Sequence, residues 1–272
     1  QIDEIDPDGD TGNEAALLER LSRRDFNAED PETAIVRLRR QAAARLPRRR
    51  SYRFTADQSG NLLDMRRTLR EAAKRDGEVF TLSRRRRKER QRKIALLIDV
   101  SGSMKELTDA ALGFAYALTQ TGERVEVFTL GTRLTRITPA LRLRNDTQAL
   151  LRASALIADV DGGTRIGEAL TTFLAVPRYV GFARGATVVV LSDGLERGSP
   201  AAMIDASARL SRLAWRLDWL TPLASDPNYT PSTSAIGSVL PFLDTLTNGA
   251  TTSALVDHIL SLAHPRRLRG AA

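Results

Sequence analysis

Hydrophobic and polar positions follow two patterns along the last two thirds of the chain. Short apolar runs such as 94–98 recur, and between them lie longer segments whose apolar residues return at helical spacing. The runs predict buried strands and the longer segments predict amphipathic helices. We expect strands at about 94–99, 124–130, 133–138, 187–192 and 215–220, and helices at about 104–121, 146–158, 165–176, 200–213 and 252–263.

This alternation of strand and helix predicts an α/β fold. Connections of this length require crossovers, so the expected architecture is a doubly wound, mostly parallel central sheet with helices on both faces. The segments 125–130 and 133–137 both alternate with period two and are separated by only two residues. They predict a hairpin that adds one antiparallel edge to the sheet.

The first 93 residues have a different pattern. A helix is expected from Pro31 or Glu32 to Leu46, and a second over 62–76, with Asn61 as N-cap and Gly77 as C-cap. The second helix is amphipathic because its apolar residues recur near helical spacing; they are Leu62, Leu63, Met65, Leu69 and Ala73. The basic run 84–93 fits either an extended edge strand or a solvated connector.

Charge divides the chain more sharply than hydropathy does. The net charge is −8 over residues 1–32, +15 over 33–93 and close to zero over the rest. We therefore predict an acidic, partly mobile N-terminal segment, a basic helical appendage, an α/β domain and a basic tail, at 1–32, 33–93, 94–264 and 265–272. The excess positive charge favours electrostatic contacts between the appendage and a partner.

Composition narrows the possible chemistry and location. The chain has no cysteine, which excludes disulfides, thiolate catalysis and cysteine-ligated metals, and leaves an oxygen-ligated hard cation as the plausible metal. No apolar run approaches the roughly 18 residues of a transmembrane helix, and the acidic first residues do not resemble a signal peptide. A cytoplasmic protein is expected, and peripheral membrane association is left open.

Acidic and hydroxyl side chains follow two of the predicted strands. Asp99 ends the strand predicted at 94–99, and Ser101 and Ser103 follow it. Asp193 directly follows the strand predicted at 187–192. A third segment, 162–164, carries Gly-Gly-Thr just before a predicted helix. The carboxyl ends of parallel strands are where α/β sheets bind ligands, and such oxygens suit a hard cation. The Asp-x-Ser-x-Ser motif alone also fits a polar strand-to-helix turn.

Together these segments resemble the metal-ion-dependent adhesion site of a von Willebrand factor A domain. Longer stretches resemble, more narrowly, the CoxE-like family of such proteins, and the resemblance covers roughly residues 47–262; the stretches are 61–70, 127–136, 163–167 and 240–244. It implies that magnesium, or manganese in its place, is bound by side chains from three loops. These are Asp99, Ser101, Ser103, Thr164 and Asp193.

The resemblance also implies a function. With two acidic ligands the cation stays under-neutralised, so an Asp or Glu of a partner protein is the expected further ligand. CoxE-like proteins are expected to be adaptors of MoxR-type AAA+ ATPases that mature a client metalloenzyme, here molybdenum-containing carbon monoxide dehydrogenase. Two alternatives stay open: a stand-alone scaffold module without an ATPase, and a nucleic-acid-associated protein that uses residues 37–93.

Three enzymatic interpretations fit the same residues poorly. A haloacid-dehalogenase-type phosphatase needs a second Asp where Ser101 stands, and a phosphate loop needs a lysine that the segment 162–167 lacks. A serine hydrolase needs a histidine base, but the two histidines, His258 and His264, are expected at the surface near the C-terminus. We therefore expect the chain not to be an enzyme.

The basic cluster Arg84, Arg85, Arg86 and Arg87 is the candidate partner-binding site. Docking onto an acidic protein surface is the favoured interpretation; a solvated or intramolecular role, including pairing with acidic residues within 3–32, is the next. Nucleic acid or anionic lipid is the third, since basic clusters give sequence-independent affinity. Aromatic residues that could stack on bases are sparse, so no specific nucleic acid is expected.

Overall fold

The computed structural model describes residues 30–76, 81–157, 165–196, 199–226, 228–231 and 234–263. They form two compact units, one made by 47–92 and a larger one by the flanking residues. This division differs from the predicted boundary at residue 33. Helix α1 (Pro31–Arg45) belongs to the larger unit because Ala34, Leu38 and Ala42 are buried in its core. The predicted mobile segment and basic tail lie largely outside the described residues.

The larger unit is built on a six-stranded sheet. Its strands are β4 (Ile94–Asp99), β5 (Val125–Leu130), β6 (Leu134–Arg136), β7 (Thr187–Leu191), β8 (Arg216–Thr221) and β9 (Thr245–Asn248). The strand order is β6-β5-β4-β7-β8-β9, and every pair is parallel except β5 with β6. The predicted parallel sheet and its antiparallel edge are confirmed, whereas β9 was not predicted.

Helices cover both faces of this sheet. They are α3 (Lys105–Thr121), α4 (Thr138–Leu141), α5 (Asp146–Leu156), α6 (Ile166–Ala175), α7 (Pro177–Ala183), α8 (Ala201–Leu213), α9 (Ser234–Val239) and α10 (Thr252–Ser261). Side chains of a strand point alternately to opposite faces. Ile94, Leu96 and Ile98 therefore join one apolar core, while Ala95 and Leu97 join the other. The fold is the predicted doubly wound α/β architecture.

The smaller unit contains a three-stranded antiparallel sheet and one helix. Its elements are β1 (Arg48–Ala56), β2 (Leu62–Leu63), α2 (Met65–Ala73) and β3 (Arg84–Gln91), and the strand order is β1-β3-β2. The basic run 84–93 therefore forms a strand over most of its length, and it is not a solvated connector. That strand is central in its sheet, where an edge position was expected.

Helix α2 departs from its prediction in length and in orientation. It begins after Asp64, whose side chain accepts a hydrogen bond from the Arg67 backbone N–H, so Asp64 is the N-cap and Asn61 is not. Met65 and Leu69, predicted to face inward, are 55% and 61% exposed. Thr68 is buried instead, where its hydroxyl accepts a hydrogen bond from the Ser83 N–H.

None of the described helices is both long enough and apolar enough to cross a membrane.

Candidate metal centre

Two neighbouring strands bring the candidate metal ligands to one edge of the sheet. β4 and β7 are parallel partners, with Ile98 opposite Leu191. Asp99 is the last residue of β4, and Asp193 follows the end of β7 by two residues. Because parallel strands end at the same edge, both carboxylates lie at the carboxyl edge of the sheet, as the sequence predicts.

Hydrogen bonds join these side chains into one network. The Asp99 Oδ1 atom accepts from the Ser101 backbone N–H at 2.9 Å, and the Ser101 and Ser103 hydroxyl oxygens lie 3.1 Å apart. The Ser103 hydroxyl donates to Asp193 Oδ2. Four of the five predicted ligands are thus brought together, and the fifth, Thr164, lies outside the described residues.

Sequence reasoning missed Ser192, which contacts both strands of the site. Its hydroxyl donates to Asp99 Oδ2 at 2.6 Å and accepts from the Gly194 N–H at 2.9 Å. Its carbonyl oxygen accepts a hydrogen bond from the indole N–H of buried Trp219 at 3.0 Å. A serine that directly precedes a site aspartate at a strand end was the available signal.

The turn after Asp193 requires a glycine. Gly194 has a φ of +77°, in the left-handed region that side chains with a Cβ rarely adopt. A Cβ on Gly194 would also lie 2.3 Å from the Cδ1 atom of Ile236. The backbone there turns tightly, and the Leu195 N–H donates to Asp193 Oδ1 at 3.0 Å.

Glu196 connects the segment after β7 to the start of helix α6, whose first residue follows Thr164 by two positions. Its carboxylate accepts a hydrogen bond from the Gly167 N–H at 3.0 Å, in the first turn of that helix. Burial raises the pKa of Glu196, and the hydrogen bonds from the Gly167 and Ile166 backbones oppose that rise. Sequence reasoning missed this residue too, because its partner is a backbone group about thirty positions away.

The electrostatics of the site favour a cation. Asp99 and Asp193 are both 1% exposed, and Asp99 forms no ion pair with a described residue. Burial and the negative charge of Asp193 raise the pKa of Asp99 to about 7, although hydrogen bonds from Ser192 and Ser101 act in the opposite direction. Two buried carboxylates so close together lower the stability of the folded chain unless positive charge is added.

The donor set is made of oxygen atoms alone, which fits magnesium or manganese. The described residues contain no group of three or more His, Asp or Glu that could hold a metal, and the chain has no cysteine. A cation at this edge would therefore depend on the Ser101 and Ser103 hydroxyls as much as on the two acids. The residues in place fit the predicted cation.

The prediction that His258 lies at the surface is wrong. His258 is buried, and its Nε2 atom lies 3.0 Å from Asp218 Oδ2 on β8. The Arg216 Nε–H also donates to this carboxylate, at 2.7 Å. Asp218 needs such partners because a buried charge is costly without them. His264 lies outside the described residues.

The four predicted partner-binding arginines all lie on β3 of the smaller unit. Since the side chains of a strand alternate, Arg84 and Arg86 point to one face of its sheet and Arg85 and Arg87 to the other.

Comparison with known proteins gives one family and several solved structures. The model of the family described as "VWA domain containing CoxE-like protein" matches residues 34–255. No curated protein matches the chain significantly. The family match covers most of the chain.

Three solved structures illustrate the similarity. Proximal thread matrix protein 1 from the mussel byssus, solved with a zinc-occupied MIDAS motif, is 14% identical with a TM-score of 0.45 over 63% of this chain and 48% of that protein. A von Willebrand factor type A protein from Catenulispora acidiphila is 15% identical, with a TM-score of 0.43 over 64% and 43%. The SpRpn10 VWA domain is 14% identical, with a TM-score of 0.43 over 64% and 98%. The chain spans less than half of the length of the first two proteins.

Proposed function

Because the chain belongs to the CoxE-like family of proteins that contain a VWA domain, we propose that it is a non-catalytic adaptor for a MoxR-type AAA+ ATPase. Membership of this family supports a role in protein interaction. In the proposal the ATPase hydrolyses ATP in the cytoplasm, and the chain carries the effect to a client metalloenzyme. Molybdenum-containing carbon monoxide dehydrogenase is the proposed client.

The observation that supports this function is the convergence of Asp99, Ser101, Ser103 and Asp193 at one edge of the sheet. A bound Mg²⁺ would supply a positive charge and an open coordination position for a carboxylate. The buried carboxylates would hold the cation, and the two hydroxyl oxygens would serve as further ligands. An Asp or Glu of the client would then complete the site, so that binding of client and cation are coupled.

Thr164 remains a proposed ligand from the loop before α6. The hydrogen bond between Glu196 and the Gly167 N–H holds the first turn of α6, three positions after Thr164, to the segment that follows β7. The proposed ligand set is therefore Asp99, Ser101, Ser103, Thr164 and Asp193.

Calorimetric titration with magnesium or manganese tests the site directly. The unmodified chain should bind one cation, and Asp99→Ala should abolish the binding because it removes a buried anionic ligand. Asp205→Ala is the matched control, since Asp205 is an exposed aspartate on α8. Equal binding by the unmodified chain and Asp99→Ala would refute the assignment.

A second experiment tests the adaptor role. The chain is mixed with the MoxR-type ATPase of its source organism and with the client metalloenzyme, and ATP hydrolysis is measured with each variant. The unmodified chain and Asp205→Ala should change the ATPase rate, whereas Asp99→Ala should not. ATP or phosphoester turnover by the chain alone that disappears in Ser101→Ala would show that it is an enzyme.

A further inference from the structure

The smaller unit carries a surface that is both basic and apolar. Residues 47–92 include 16 basic and 6 acidic residues, a net charge of +10. The large hydrophobic side chains that the structure describes in this unit are all exposed; these are Tyr52, Phe54, Leu62, Leu63, Met65, Leu69 and Leu82. Exposed apolar groups among charges of one sign are typical of protein-binding surfaces.

The register of the sheet sorts these side chains onto two faces. Directly opposed residues of antiparallel strands point to the same face. Phe54 of β1 lies opposite Arg87, and Leu62 of β2 lies opposite Arg85. These four residues therefore share one face of the sheet, which we call the Phe54 face.

Arginine and aromatic side chains are in contact on the Phe54 face. The Arg85 guanidinium carbon lies 4.5 Å from the centre of the Phe54 ring, and that of Arg87 lies 5.9 Å away. Such cation–π contacts restrict the guanidinium groups without neutralising them. No described acidic side chain forms an ion pair with Arg85 or Arg87. Phe54 and Leu62 are each 39% exposed beside them.

The arginines of the opposite face are bound within the unit. Arg86 forms an ion pair with Asp57, and the Arg84 Nη1–H donates to the Gly60 carbonyl oxygen at 3.3 Å. The two pairs of arginines thus have the same charge and neighbouring positions on one strand, but only in Arg84 and Arg86 does the guanidinium group form an ion pair or a hydrogen bond with a described residue.

We propose that the Phe54 face docks an acidic segment of a protein partner that also carries apolar side chains. Carboxylates of that segment would pair with the Arg85 and Arg87 forks, and its apolar side chains would cover Phe54 and Leu62. A protein fits better than a nucleic acid, because Arg85 already lies over the Phe54 ring and Leu62 offers an aliphatic contact. This inference rests on the proposed adaptor function and specifies its partner-binding residues.

The test compares two double variants of the full chain. A fluorescent peptide of alternating Glu and Leu is the probe, and fluorescence anisotropy gives its affinity. Arg85→Gln with Arg87→Gln should weaken binding by about tenfold, whereas Arg84→Gln with Arg86→Gln should weaken it by less than about threefold. Both variants lose two positive charges from the same strand, and circular dichroism checks that both stay folded.

Several results would overturn the proposal. Equal losses of peptide affinity in the two variants would indicate a diffuse electrostatic effect. If the folded chain does not bind the peptide at all, the proposed docking face is refuted. Tighter binding of oligothymidylate than of the peptide, sensitive to Arg85 and Arg87, would assign the face to nucleic acid. Binding that occurs only after residues 1–29 are deleted would assign it to the chain's own acidic segment.

The Asp99→Ala variant separates this proposal from the proposed function. Peptide binding should persist in Asp99→Ala, because Asp99 is not part of the Phe54 face. If the unmodified chain binds the peptide but no cation, the metal site alone is refuted. Retained cation binding with no effect of Arg85 and Arg87 would refute the docking face alone.

Discussion

The two compact units distribute their apolar and charged side chains in opposite ways. In the larger unit every residue of β4 and β7 is buried, and even charged groups such as Asp218 are enclosed with partners. In the smaller unit Ala72 and Pro47 are the hydrophobic residues that are buried among those described, and seven of the ten exposed large hydrophobics of the described chain belong to this unit.

This difference suits the two units to the different roles proposed for them. Burial fixes the Asp99 and Asp193 carboxylates in the larger unit to positions set by packed strands, as a metal site requires. The smaller unit has too little buried apolar surface to hold a rigid site, but its exposed side chains are available to a partner.

The largest expected difference is in amide hydrogen exchange. Amides of β4 and β7 lie at the centre of a buried sheet and should exchange only on global unfolding. Amides of β1 and β3 should open locally, so they should exchange at least about a thousandfold faster. Mass spectrometry of the full chain measures both sets in one experiment. Similar protection of the two sheets would show that the smaller unit is more rigid than its burial indicates.

Removing one large aromatic side chain from each unit tests the contrast in stability. Trp219→Ala should lower the free energy of unfolding by about 3–5 kcal/mol, because it leaves a cavity in the core of the larger unit. Tyr52→Ala should change it by less than about 0.5 kcal/mol, since Tyr52 is 91% exposed. Urea denaturation followed by circular dichroism measures both. A comparable loss in Tyr52→Ala would reveal packing that its exposure does not indicate.

Neutralising one site carboxylate should stabilise the larger unit. Folding raises the pKa of Asp99 from 3.8 to about 7, so ionisation of Asp99 costs stability as the pH rises through this range. Without added metal, Asp99→Asn should therefore be more stable above pH 7, by on the order of 1–3 kcal/mol, and the gain should vanish below 3.8.

Thermal denaturation with and without magnesium measures this effect. Excess magnesium should raise the melting temperature of the unmodified chain and not that of Asp99→Asn. A metal-free Asp99→Asn variant that is less stable than the unmodified chain above pH 7 would contradict the expected repulsion.

The smallest expected change in the free energy of unfolding comes from removing an ion pair. Glu126 on β5 accepts hydrogen bonds from Arg136 at 2.6 and 2.9 Å and from the Thr138 hydroxyl at 2.8 Å. Burial acts to raise the pKa of Glu126, but these hydrogen bonds prevail and lower it. Its contribution should be present above the usual pKa of 4.5 and disappear as the pH falls through the lowered value.

Glu126→Gln should therefore destabilise the chain by about 1 kcal/mol at neutral pH, and less in acid. Glu89→Gln in the smaller unit is the control, because Arg48 lies 3.8 Å from Glu89 and both side chains are about half exposed. This change should have no measurable effect. Equal losses in the two variants would remove the distinction between buried and exposed pairs.

The sequence predicted the larger unit well because its signals are local. An uninterrupted apolar run followed by Asp99 indicates a buried strand that ends in a ligand, and parallel pairing brings Asp193 to the same edge. Asp218 lies between two apolar residues of β8, and this isolated buried charge was the available signal for a partner such as His258. The identity of that partner depends on packing between distant elements.

The smaller unit was predicted less well because its pattern is not that of a core. The run 84–91 has no apolar alternation, and its strand forms through pairing with β1 and β2. Met65 and Leu69 have the spacing of a buried helix face, yet the structure exposes them. Local pattern and tertiary position therefore disagree on helix α2 of the unit that carries the proposed docking face.

The packing of α1 against α10 constrains the order in which the chain can fold. Arg37 of α1 forms an ion pair with Asp257 of α10, 220 positions away, and both helices add residues to the same core. During synthesis the central strands and α3, which also packs against α1, leave the ribosome well before α10 does, so the contact between α1 and α10 is the last to form around this core.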